Sequence, residues 1–276
     1  MLAGAYGVFY QQGCGGLWLF EFFFWCGHER SPFSMPSTRM PRSLSAGSKK
    51  DKVGRIGLHH AQIKNNSRTV RLVLAEKRLP FEAIIERAWE HRPEFLAMNP
   101  AGDVPVLVED NGLIVPDSYV ICEYLEEAYS DTPLLGRTLA ERVEVRRVMA
   151  WFDTLFAREV SGRFIDERVM KRLSGRGNPD GTALREAYAA MRPLMKYVND
   201  LAENRNWLAG NFLSLADFTA AGHLSCLDFI GDIDWSKVPA VRDWYARMKS
   251  RPCFRPLLAD RVSGITPPEY YTNLDF

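Results

Sequence analysis

The stretch Asn99-Pro100-Ala101-Gly102-Asp103-Val104-Pro105-Val106-Leu107, read together with Asp117-Ser118 beyond it, decides the fold. A Val-Pro pair inside an apolar, strand-like run is unusual. Proline has no N–H to give to a ladder and is kept out of central strands. A cis peptide at the entry to an edge strand accommodates it. Such a bend leaves the N–H and C=O of Val104 free to pair with a small extended peptide. Asp117 and Ser118 open the next apolar-periodic run, which puts them at a helix N-terminus. Free N–H groups and the positive dipole end favour a carboxylate there. The bend and the helix start together make a site for a peptide with a zwitterionic end.

Working outward, the pattern predicts a strand over 55–60 and a helix over 67–77, where Val70, Val73, Leu74 and Lys77 share a face. Leu79-Pro80 stops that helix. A strand over 81–88, a short helix over 92–98 and strands over 104–109 and 113–115 follow. Asp110-Asn111-Gly112 marks the turn between the last two, since Asn-Gly is the strongest short-range hairpin signal. A helix over 117–129 completes a small α/β domain of thioredoxin type. Residues 131–137, with Pro133 and Gly136, read as a linker. Beyond it no run resembles a strand. Helices are expected over 138–173, over 182–204 with Pro193 as a kink, from a capping box at Ser214–Asp217, and over 239–250. The fold class is therefore α/β plus all-α: a thioredoxin-like domain (55–130) followed by an all-helical domain (138–262) and a polar tail (263–276).

The chain has 276 residues and a formal net charge of +1, with 46% hydrophobic and 25% charged residues. These values suit a globular protein and give no reason to expect a nucleic-acid partner. The five cysteines lie far apart without a Cys-x-x-Cys pair or histidines at metal spacing. That argues against a disulfide framework or zinc site and fits a reducing compartment, the cytoplasm. Cys122 and Cys226 read as small buried hydrophobes.

Residues 1–54 do not fit this scheme. They hold six basic and three acidic residues, a net +3, against 29 basic and 31 acidic residues in the remainder. The aromatic run Leu17–Trp25 is too short to span a bilayer and contains Glu21. No basic region precedes it and no clear cleavage site follows, so it fits a signal peptide poorly. Ser31–Lys52, rich in Ser, Pro, Arg and Lys, has a disordered composition. The preferred reading is an over-extended start, with Met35 or Met40 as the true first residue; an interfacial aromatic anchor is the alternative.

The 99–107 string, Asp117-Ser118 and Leu213-Ser214-Leu215-Ala216-Asp217-Phe218 resemble, in order, the motifs of the glutathione S-transferase superfamily, over about residues 56–260. The resemblance implies a homodimer with glutathione as ligand. It implies that Val104, with Pro105 cis, holds the cysteinyl backbone. Ser118 would hold the γ-glutamyl carboxylate and Asp117 the γ-glutamyl amino group. The chain departs from the family at the thiol-activating position, which falls on Lys64 where a Ser, Cys or Tyr is usual. Lys64 would stabilise a thiolate by charge, or is a solvated loop residue. Ser67 would donate a hydrogen bond to the thiol if the loop is shifted, or is a helix N-cap. Asp103 replaces the usual Gln or Lys, and an anion there opposes thiolate formation.

The C-terminal third narrows the resemblance. His223–Asp228, Gly231–Trp235, Arg251–Arg261 and Tyr271–Phe276 are similar to the branch of transferase-like bacterial division proteins that bind the tubulin homologue FtsZ. That branch implies a non-catalytic dimeric scaffold with a degenerate glutathione site. The tail, with Tyr270, Tyr271, Leu274 and Phe276 around Pro267-Pro268, would then order on a partner, or pack on its own domain. The alternative is an active transferase, with the hydrophobic co-substrate near Trp151, Phe152 and Phe156.

Overall fold

The computed structural model describes residues 56–274. The readings made for residues 1–54 and for Phe276 lie outside them. Four strands form one mixed sheet in the order β2-β1-β3-β4. Strand β1 (Ile56–His60) pairs in parallel with β2 (Phe81–Ile85), in register Leu58 to Ala83. A parallel neighbour needs a crossover connection, and helix α1 (Asn65–Glu76) supplies it. On its other side β1 runs antiparallel to β3 (Val106–Val108), which forms a hairpin with β4 (Ile114–Pro116). Gly112 takes φ 84° at that turn, and the Asn111 side chain accepts the N–H of Leu113 at 2.8 Å. A short helix α2 (Pro93–Met98) precedes β3, and α3 (Ser118–Ala128) follows β4.

The rest is helical. Helix α4 (Leu139–Trp151) begins at a capping box between Thr138 and Glu141 that the periodicity did not reveal. It continues without a break through a π-helical stretch (Phe152–Ser161), α5 (Gly162–Ile165), a second π-helical stretch (Asp166–Met170) and α6 (Lys171–Leu173). A Cβ at Gly162 would lie 2.5 Å from the Ala157 carbonyl oxygen, so glycine is required beside the first stretch. Helix α7 (Gly181–Asn204) contains Pro193. Helix α8 (Leu215–Ile230) starts at the expected Ser214–Asp217 box, and α9 (Pro239–Lys249) and α10 (Arg255–Leu258) follow.

Helix α1 is the pivot of the packing. Every residue from Ser67 to Leu74 is buried, because α8, α3 and the turn at Pro252–Phe254 pack around the helix. A helix enclosed on all sides must pair its polar side chains internally. Arg68 does so completely: Nε donates to the Gln62 carbonyl at 2.8 Å and Nη1 to the Ser225 carbonyl at 2.8 Å and the Tyr271 hydroxyl at 3.2 Å. Its Nη2 reaches Asp260 at 3.2 Å, and Arg71 grips both oxygens of the same carboxylate at 2.8 Å. The approach of α8 is so close that a Cβ on Gly222 would meet Thr69 Oγ1 at 2.3 Å and the Asn65 carbonyl at 2.8 Å.

The tail corrects one expectation. Tyr271 is fully buried rather than offered to a partner. Its ring packs edge-on against Phe229 at 5.2 Å, and its hydroxyl donates to the Leu257 carbonyl at 3.1 Å while accepting from Arg68. The buried guanidinium gives that hydroxyl a use, since the returning tail adds a fourth acceptor to those of Gln62, Ser225 and Asp260. Tyr270 is half-buried, and Leu274 is 40% exposed. Cys122 and Cys226 are buried as expected; burial pushes both thiols up, Cys226 to about 11.

Candidate functional site

The end of β1, the start of α1, the 99–105 loop and the start of α3 converge at one end of the sheet; the loop enters β3, which lies between β1 and β4 and is not the edge strand expected for a Val-Pro pair. The loop is built by its own side chains. Asn99 donates from Nδ2 to the Asp103 carbonyl at 2.7 Å and accepts the Ala101 N–H at 3.1 Å, while Gly102 takes φ 65°. The Val104–Pro105 bond is cis. Next to it, Asp117 adopts φ 74° and caps α3: its Oδ1 accepts the N–H groups of Tyr119 at 2.8 Å and Val120 at 3.3 Å. Ser118 is buried in the first turn, where helices leave donors unpaired, and its hydroxyl forms no hydrogen bond among the described residues. A negative group fits there.

The other half of the site is occupied from within. The Val104 N–H, expected to be free, donates to Asp103 Oδ1 at 2.8 Å. The same carboxylate takes Lys64 Nζ on both oxygens at 3.0 Å. Asp103 thus covers the Val104 donor and neutralises the Lys64 cation with one carboxylate. Lys64 is neither an open charge nor a bare loop residue; it is the N-cap position of α1. Ser67 is correspondingly not the cap. The helix begins at Asn65, so Ser67 falls inside the first turn, has no exposed surface, and uses its Oγ to accept the Ala61 N–H at 3.2 Å.

Behind this end lies a polar chain that sequence reasoning missed. His223 of α8 is fully buried, with Nδ1 2.7 Å from Ser161 Oγ and Nε2 3.0 Å from Asp153 Oδ1. The Asn65 amide nitrogen lies 3.1 Å from the ring. The order Ser–His–Asp has the look of a nucleophile relay. Ser161 has no exposed surface for a substrate to reach, so the chain ties α1, α8 and the π-helical stretch together. A histidine set between Ala220-Ala221-Gly222 and Leu224 in the middle of a long apolar-rich helix was the available signal. Phe152 and Phe156 are fully buried against this histidine as plain core, and the Trp151 ring packs at a tilt on Tyr197, 4.8 Å between centroids. No group of His, Cys, Asp and Glu among the described residues is arranged to hold a metal, and no described helix is long and apolar enough to cross a membrane.

Known proteins place this architecture. Residues 58–133 match the family model for the glutathione S-transferase N-terminal domain, and residues 175–252 that for the C-terminal domain. FtsZ-localized protein A of Caulobacter vibrioides (strain NA1000 / CB15N) is 48% identical over 222 residues, covering 79% of this chain and 97% of that protein. The chain belongs to the glutathione S-transferase family. Among solved structures of the family, FzlA from C. crescentus superposes with a TM-score of 0.78 at 47% identity, over 80% of this chain and all of that one (100%). A glutathione S-transferase from Rhodospirillum rubrum F11 superposes equally well, with a TM-score of 0.78 at 48% identity over 80% of this chain and 100% of that one. The transferase fold thus accounts for the mixed sheet followed by helices. It is also the frame in which Asp103 closes on Val104.

Proposed function

We propose that this chain is a transferase-fold division protein that docks on FtsZ filaments as a cytoplasmic homodimer, with a degenerate glutathione site. The observation that carries this reading is the 48% identity, along 97% of its length, to a protein named for its localisation with FtsZ. Pelleting the chain with polymerised FtsZ tests it: co-sedimentation is expected, and an empty pellet from folded protein overturns the reading. Tyr270, Leu274 and Phe276 are the proposed partner contacts. Leu274→Ala, which removes an exposed side chain, is expected to weaken co-sedimentation without lowering thermal stability. The homodimer reading is supported by Val120 of α3 and Leu139 and Val143 of α4, aliphatic side chains left 50%, 79% and 57% exposed. Contiguous exposed apolar surface marks interaction sites.

The degenerate site rests on Asp103. With the Val104 N–H already bonded, glutathione would have to displace a carboxylate and break the Lys64 pair before its cysteinyl backbone could pair. Millimolar glutathione is expected to leave the chain unsaturated, and Asp103→Ala to raise affinity by about tenfold or more, the worth of a restored hydrogen bond. A second reading, an active transferase, is favoured by one observation: the unpartnered Ser118 hydroxyl beside Asp117 and Pro105. In that reading Lys64 or Ser67 activates the thiol. The burial of Ser67 and the pairing of Lys64 count against both. Turnover of chlorodinitrobenzene that is lost in Lys64→Ala would favour it over the scaffold.

A further inference from the structure

A cavity of about 420 Å³ opens on the helical side of the molecule, between α7 and the connection from α8 to α9. Ligand pockets run roughly from 300 to 1,000 Å³. Its floor is Met191, Met195, Ile233 and Val238, each less than a tenth exposed. The connection is held at both ends and stands off α7 between them. At one end the Tyr188 hydroxyl donates to Asp232, which Arg168 also grips from Nη2 at 3.0 Å. At the other, Asn199 Oδ1 accepts the N–H groups of Ala240 at 3.1 Å and Val241 at 3.3 Å. Asn199 is thereby committed to capping α9, and its Nδ2 donates to Glu203 at 2.6 Å.

The charges around the rim cancel except for one. Arg168 neutralises Asp232, Lys237 pairs with Asp234 at 2.8 Å, and Lys196 pairs with Asp200 at 3.0 Å. Arg192, an exposed residue of α7 on the same rim, has no hydrogen-bond or ion-pair partner among the described residues. An apolar cup therefore carries a single uncompensated guanidinium, a group whose planar fork matches a carboxylate. Methionines in the floor adapt to a flat or irregular body.

We infer that this cavity binds a small monocarboxylic acid with an aromatic or short aliphatic body. The body rests on Met191 and Met195 and the carboxylate meets Arg192. A dianion is disfavoured, because the rim offers only the one uncompensated cation among the described residues. The site is separate from the one at Val104–Ser118 and holds whether or not glutathione binds there.

The full chain, labelled with ¹³C at its methionine methyls, is titrated with 2-naphthoate and with the uncharged 2-naphthalenemethanol. Methionine-to-leucine substitutions assign the two floor resonances. Both compounds are expected to shift the Met191 and Met195 methyls saturably, the acid binding more tightly. Arg192→Met, at an exposed position, is expected to weaken naphthoate by about tenfold and to leave the alcohol within about twofold. Met195→Trp, which fills the cup, is expected to abolish both; a thermal melt reports whether it has folded, and the Arg192 arm stands without it. Floor methyls that stay unshifted at naphthoate saturation, or an Arg192→Met affinity equal to that of the unaltered chain, overturn the inference.

Discussion

Helix α1 carries two cation–carboxylate contacts in opposite surroundings. In the middle of the helix, Arg68 and Arg71 share Asp260 with almost no exposure on any side chain. At its start, Lys64 holds Asp103 with 29% and 52% of the two side chains exposed. The chemistry is similar and the consequences differ. A buried pair is costly to break, since the remaining charge is stranded in a poor solvent. An exposed pair is worth little because water replaces either partner. The first contact fixes the tail and the helical domain onto α1. The second contributes little to the fold, yet a ligand at Val104 must still displace the Asp103 carboxylate before it can pair with that N–H.

The largest expected break in this contrast is Asp260→Ala, which strands two arginines. Urea unfolding should show a loss of about 3–5 kcal/mol; a loss below about 1 kcal/mol would sink the structural role given to this carboxylate. Gly222→Ala probes the same junction from α8. Its new methyl meets Thr69 and the Asn65 backbone, and overpacking of this kind costs about 1–3 kcal/mol. Unchanged stability would mean the two helices have room to part.

Another buried carboxylate gives the contrast a pH signature. Burial raises Asp228 to about 6, although Lys249 at 3.6 Å and the Trp235 and Tyr245 side chains oppose the rise. A carboxyl raised on folding favours the protonated native state. Its contribution is fully present below about pH 4 and is lost as the pH climbs to about 6. Asp228→Asn has no such group. The stability of the unaltered chain relative to that variant should fall between pH 4 and 6, read from urea midpoints; a constant difference would refute the assignment. The smallest effect belongs to Lys64→Met. It should change stability by less than about 1 kcal/mol, while amide exchange at Val104 quickens as Asp103 is freed to move.

The fold was legible because its decisive signals are local. The Val-Pro pair, the Asn-Gly turn, Asp117-Ser118 and the Ser214 box each specify a backbone conformation within a few residues. What escaped depends on contacts distant in the chain. Tyr271 is buried against Phe229 and Arg68, both of which come from elements far back in the sequence. The Val104 donor is closed by its own neighbour, a side-chain rotamer that no periodicity encodes. Ser67 was placed too near the start of α1 because Lys64 and the asparagines after it give no cap signal, and the helix begins before its apolar pattern does. The π-helical stretches are silent for a similar reason: they widen the helix by a residue per turn without changing which residue types face the core.

The enclosure of Tyr271 bears on how this protein can be dissected. Shortening the gene so that translation stops before codon 271 removes an acceptor from the Arg68 guanidinium. The phenotype of such an allele would record lost folding and be mistaken for lost recognition. Point changes at Leu274 separate the two, because that side chain can be altered while the tyrosine anchor stays in place.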